Sequence, residues 1–108
     1  MNPQIQLAAL AATAPSREPA ARRLVKICNQ KGLHARAAAR FVKMASQFEA
    51  EVTVGKNGTA VSGRSIMGLM MLAAASGTVI EVAATGPDAA AAVEALARLI
   101  ECKFDEQD

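Results

Sequence analysis

Apolar and polar positions change period several times along the chain, and each change marks an element. RRLVKIC is β-branched and apolar and ends at Asn29 and Gly32, which predicts a strand over residues 22–28. From about Ala35 to Gln47 the period becomes helical, with Ala38, Phe41, Val42 and Ala45 forming one buried stripe. Glu51–Gly55 alternates, placing Val52 and Val54 on one face. Asn57–Gly58 follows, a two-residue turn suited to positive φ, and leads into a second hairpin strand, Thr59–Ser62. SIMGLMMLAAA lies between Gly63–Arg64 and Ser76–Gly77 and predicts a short helix with Ser65 at its N-cap. In that helix Ile66, Leu69 and Ala73 are expected to face the core. Thr78–Thr85 alternates again, with Ile80, Val82 and Ala84 together. Gly86–Pro87–Asp88 opens a last helix to about Lys103, with Val93, Ala97, Ile100 and Phe104 on one face. The order βαββαβα predicts an α+β domain, most simply an antiparallel sheet with helices packed on one side.

Composition narrows this picture. At 108 residues the chain holds one modest core, and 52% hydrophobic with 20% charged residues argues against wholesale disorder. Residues 1–21 read as a flexible extension before the domain at 22–104. A cleaved signal is the weaker alternative, because no Lys or Arg precedes IQLAALAATA. Residues 105–108 read as an acidic tail. No apolar run reaches membrane-spanning length. Cys28 and Cys102 lie far apart, and with one histidine they make no plausible zinc site; reduced packing thiols in a cytoplasmic monomer are expected. No metal or other cofactor is called for.

The net charge of +2 conceals an asymmetry. Residues 17–43 carry eight Lys/Arg and one acid, whereas residues 44–108 carry four basic and nine acidic side chains. A basic half attracts phosphate or an acidic partner. Nucleic acid is the weaker candidate, since Trp and Tyr are absent and there are three Phe.

Three features carry candidate chemistry. His34, the single histidine, falls at the start of the first helix, where free N–H groups and the dipole favour anions and disfavour imidazolium. Arg36 is placed to hold a phosphoryl oxygen. From its position alone, a capping or surface histidine with no further task is the simpler explanation of His34. Arg36, Arg40, Lys43 and Gln47 form a basic-polar stripe opposite the core stripe, either a solvated face or a docking surface. The helix after Ser65 has no charge as far as Ser76, and its methionines make either tight core packing or an exposed docking patch. A phosphoryl group on Ser65 would sit well at an N-cap but repel an acidic or apolar partner, although an ordinary N-cap accounts for the residue.

KGLHARAAARFV, followed at a fixed distance by GRSIMGLMMLAA, resembles the HPr family, the histidine-containing phosphocarriers of the phosphoenolpyruvate-dependent phosphotransferase system. The resemblance covers roughly residues 22–103, including the Asn-Gly hairpin and the Gly-Pro-Asp helix start. It implies an open-faced β-sandwich, four antiparallel strands with three helices on one face. It also implies a carrier rather than an enzyme: enzyme I phosphorylates Nδ1 of His34, which passes the group to an enzyme IIA-type domain for sugar transport or regulation. Arg36 matches the arginine that contacts the phosphoryl group. Ala35, Ala39, Lys43, Ile66, Met67 and Met70 match partner-docking positions, to which the charge stripe adds Arg40. Ser65 matches a regulatory serine modified in some bacteria by a dedicated kinase/phosphatase. A non-transferring binding module controlled through Ser65 is the alternative. The chain departs from the family at Ala37, where proline is usual, and at Ser46, where a basic residue is common.

Overall fold

The computed structural model describes residues 19–106. Most of the extension expected over residues 1–21, and residues 107–108 of the expected tail, lie outside the described residues. The elements follow in the order β1 (Ala21–Lys26), α1 (Ala35–Ala45), β2 (Glu51–Lys56), β3 (Thr59–Ser62), α2 (Ile66–Met71), β4 (Val79–Thr85) and α3 (Ala89–Glu101), closed by a single turn at Lys103–Asp105.

The four strands form one antiparallel sheet in the order β1-β4-β2-β3. The register pairs Val25 with Ile80, Val82 with Val54 and Ala84 with Val52, so the alternating apolar sets fall on one face. The helices cover that face: Phe41, Leu69, Leu96, Ile100 and Phe104 pack with Ile80, Val82 and Val54 in one buried cluster. Burial of this apolar surface is the main term holding the fold together. The opposite face carries Leu24 and Val79, both exposed. This is the open-faced arrangement that the sequence resemblance implies.

β1 stops at Lys26, two residues short of the expected end, but Ile27 still donates to Thr78 and accepts from Gly77 through its backbone. The Asn57–Gly58 turn has positive φ at both positions, as a two-residue hairpin twisted to match its strands requires. α1 ends at Ala45 and buries Ala37, Ala38, Phe41 and Ala45, while Val42 is half-buried. α3 ends at Glu101 rather than near Lys103.

Two expectations are corrected. α2 is only six residues long, and its buried contact is Leu69, followed by Leu72 just beyond its end. Ile66 is exposed instead of facing the core. Ala73 is exposed and Ala74 buried, because Ala73 adopts φ +52 and the helical period ends there. Phe104 does reach the core, but not along α3. Lys103, Phe104 and Asp105 all have left-handed φ, and this turn swings the buried ring inward.

Both cysteines are free, and the Cys28 thiol donates to the Ile100 carbonyl at 3.3 Å. Among the described residues no helix is long and apolar enough to cross a membrane.

Candidate functional site

The site is built on the loop between β1 and α1. Gly32 is the point at which that loop becomes tight. Its φ of +66° is open to glycine, and a Cβ there would lie 2.5 Å from the Ala74 carbonyl oxygen. The close approach lets Leu33 N–H donate to that same oxygen at 2.9 Å, tying the loop to the segment after α2. Asn29, fully buried, holds the loop from inside by donating from Nδ2 to the Gly32 carbonyl at 2.8 Å.

His34 comes next, at the N-cap of α1 with extended backbone. Its carbonyl accepts the first intrahelical bond, from Ala38, but its side chain makes no capping bond. The imidazole is therefore not satisfying the helix end, which is the task an N-cap side chain ordinarily performs. It turns instead toward the end of the chain. Nε2 lies 2.8 and 3.0 Å from the two carboxylate oxygens of Glu106. Among the described residues Nδ1 makes no hydrogen bond. The side chain keeps 23% of its surface exposed against 11% for Glu106, so the ring stays reachable while the carboxylate is largely enclosed.

Glu106 is held from several directions. Asn29 Nδ2 donates to its Oε1 at 2.8 Å. The opposite orientation of the Asn29 amide would set its oxygen against both Glu106 and the Gly32 carbonyl, so the network itself fixes the amide. Burial works to raise the Glu106 pKa. Hydrogen bonds from His34 and Asn29, and the positive charge of His34 and Arg36, outweigh it and hold the carboxyl below its ordinary value. The preceding turn is anchored as well: Phe104 is buried, and the Arg40 guanidinium donates to its carbonyl oxygen.

The remaining sequence candidates fall on a continuous surface. Ala35, Arg36, Ala39 and Lys43 are exposed along α1, and Arg40 is partly covered by its contact with the turn. Among the described residues Arg36 makes no hydrogen bond or salt bridge. Its exposed position two residues after His34 leaves the guanidinium free to meet an anion at the ring. Ala37 is buried at the third helical position, where the N–H has no acceptor within the helix. Proline at this position would therefore cost α1 no hydrogen bond, and alanine instead leaves the N–H donor in place.

α2 packs beside α1 and presents Ile66, Met67, Met70 and Met71, exposed by 42, 73, 44 and 77%. Such a grouping of large apolar side chains is a conspicuous exposed apolar patch for so small a domain. Ser65 accepts a hydrogen bond from Gly68 N–H at 2.9 Å and so caps α2. At the other end Lys56 Nζ donates to the Leu72 and Ala73 carbonyls at 3.0 and 3.1 Å, closing the C-terminus of this uncharged helix with a cation.

Lys56 and Glu106 have no assigned role in the sequence, and Asn29 figures there only as the residue that ends the first strand. Phe104 was the available signal for Glu106: an apolar residue just past the helix implies that the chain is drawn back into the domain there. No group of three or more His, Cys, Asp or Glu among the described residues is placed to hold a metal ion.

Comparison with known proteins agrees with this geometry. The family described as "PTS HPr component phosphorylation site" matches residues 21–102. The phosphocarrier protein HPr of Neisseria meningitidis serogroup A is 56% identical over 82 residues, covering 76% of this chain and 92% of the relative. The phosphocarrier protein NPr of Shewanella violacea is 44% identical over 84 residues, covering 78% and 92%. Among solved structures, HPr of Thermoanaerobacter tengcongensis superposes with a TM-score of 0.78 at 42% identity, covering 82% of this chain and 99% of the other.

Proposed function

This chain belongs to the HPr family of phosphocarrier proteins of the phosphotransferase system, and on that premise we propose that His34 is the residue that carries the phosphoryl group. Enzyme I, charged from phosphoenolpyruvate, donates to Nδ1, and an enzyme IIA-type domain accepts from it. The relay takes place in the cytoplasm. One observation carries the assignment: an imidazole stands at the N-cap of α1 without capping it, with one nitrogen tied to a carboxylate and the other unengaged among the described residues. A helix N-terminus is favourable ground for the arriving oxygens, and Arg36 supplies a planar fork of donors beside them. Little covalent chemistry falls to the carrier. Positioning and charge compensation do the work, shared with the partner.

Docking uses the surface that surrounds the ring. The exposed apolar side chains of α2 and the basic stripe of α1 adjoin, giving an apolar contact rimmed by positive charge. That combination suits a partner with an acidic rim around an apolar groove. Ser65 stands at the edge of the apolar patch. A phosphoryl group there would place two negative charges in the contact, so modification of Ser65 would weaken docking without touching the ring.

Incubation with enzyme I and phosphoenolpyruvate tests the assignment. Acid-labile phosphate is expected on the wild type and none on His34→Ala. Undiminished labelling of His34→Ala overturns it. Partner binding that survives His34→Ala but is lost in Ser65→Asp, with no labelling of the wild type, would instead establish the chain as a regulatory binding module.

A further inference from the structure

Phosphoryl transfer to an imidazole requires one nitrogen with a lone pair and, on the other, a proton that stays. The contact between Nε2 and Glu106 bears on both. The geometry points to Glu106 as a positioning residue that keeps the proton of His34 on Nε2, frees the Nδ1 lone pair for the phosphoryl group, and compensates the charge that the ring acquires when the group arrives. This rests on the carrier reading of His34 and deepens it.

The reasoning begins with the carboxylate. An ionised carboxylate only accepts hydrogen bonds, and both of its oxygens lie within 3.0 Å of Nε2. The neutral ring therefore binds there as the Nε2–H tautomer, with its lone pair on Nδ1. The same logic, a carboxylate fixing the tautomer of a histidine through its second nitrogen, operates in hydrolytic triads and in metal-bound imidazoles. In the transfer step the Nδ1 lone pair forms the new bond to phosphorus while the donor's bond to phosphorus breaks, its electron pair staying with the donor. The Nε2 proton does not leave, so the ring takes on positive charge. Glu106 meets that charge at 2.8 Å in an enclosed site, whereas the phosphoryl oxygens lie on the other side of the ring. Attraction falls with distance, so the near cation outweighs the farther dianion.

The chain commits several other features to this placement. Three consecutive non-glycine residues, Lys103, Phe104 and Asp105, occupy the left-handed region. Such conformations persist only where surrounding contacts enforce them. Buried Phe104 and the bond from Arg40 to its carbonyl do so, and the residue delivered next is Glu106. Buried Asn29 then spends one of its two amide hydrogens on the same carboxylate. A surface tail with no assignment would not be held by a core residue, a buried ring and a guanidinium together.

The test uses the full chain and three measurements on wild type, Glu106→Gln and Glu106→Ala. Nitrogen-15 spectra of the His34 ring read the tautomer, equilibrium with enzyme I reads how strongly the phosphoryl group is held, and a melting curve confirms folding. The wild type is expected to be predominantly the Nε2–H form. In Glu106→Gln the amide oxygen still accepts from Nε2, so the tautomer should persist. With the compensating charge gone, the equilibrium should shift about tenfold away from the phosphorylated carrier. In Glu106→Ala both should change, with Nδ1–H appearing at neutral pH. A folded Glu106→Ala that keeps the wild-type tautomer and equilibrium overturns the inference. If His34 proves not to be the phosphorylated residue while the tautomer still follows Glu106, the carrier assignment fails and the positioning role stands.

Discussion

At the scale of single residues, the site is a case of one side chain declining its local role. A histidine at an N-cap could be read as a cap, and its sequence position does not distinguish capping from chemistry. The structure distinguishes them, because the imidazole makes no capping bond and its Nε2 meets Glu106, 72 residues away. That contact has a consequence for stability. Glu106 is held below its ordinary value of 4.5 by His34, Asn29 and Arg36 acting against burial. A carboxyl with a folded pKa below its unfolded one contributes stability fully above the unfolded value and loses it as pH falls through the folded value. Thermal melts taken as pH is lowered from about 5 toward 3 should therefore show the wild type losing Tm more steeply than Glu106→Gln, which has no such group to protonate. Parallel slopes would mean that the tail contact adds nothing to folding.

At the scale of elements, most boundaries were legible because each element is announced by its own local chemistry. Thr59–Ser62 follows its Asn-Gly turn as expected, and Ser65 caps α2 through its hydroxyl. α2 departs from its expected inner face for an equally local reason. Six residues are too few for a periodic stripe to be set by more than one contact, and Ala73 breaks the period with positive φ. What holds so short a helix is not its own sequence. Lys56 from β2 closes its C-terminus, and the loop at Gly32 bonds to Ala74 just beyond. The β1–α1 loop and the α2–β4 segment thus depend on one glycine. Gly32→Ala places a Cβ 2.5 Å from a backbone oxygen at a φ of +66°, so it should cost about 2–3 kcal/mol in urea denaturation. It should also disturb the His34 ring environment, since the loop that carries the ring has to move.

At the scale of the whole molecule, the tail belongs to the domain. The family match runs over residues 21–102, and beyond it Phe104 is fully buried against the core and its turn presents Glu106 to the ring. Phe104→Ala should destabilise the protein by about 3–5 kcal/mol, as removal of a large buried ring does, and should weaken the Glu106 contact with it. A loss under about 1 kcal/mol would mark Phe104 as peripheral to the core. The sequence alone determined the element order, the apolar faces of β2, β4 and α3, the hairpin turn and the neighbourhood of His34. Those properties are encoded within a few residues of one another, by period, by turn residues and by caps. Only the tertiary structure decided that Arg40 anchors the terminal turn, that Lys56 closes α2, and that a carboxylate from the last residues described stands at Nε2. Each joins side chains and backbone distant along the chain, and no local pattern records which distant groups packing will bring together.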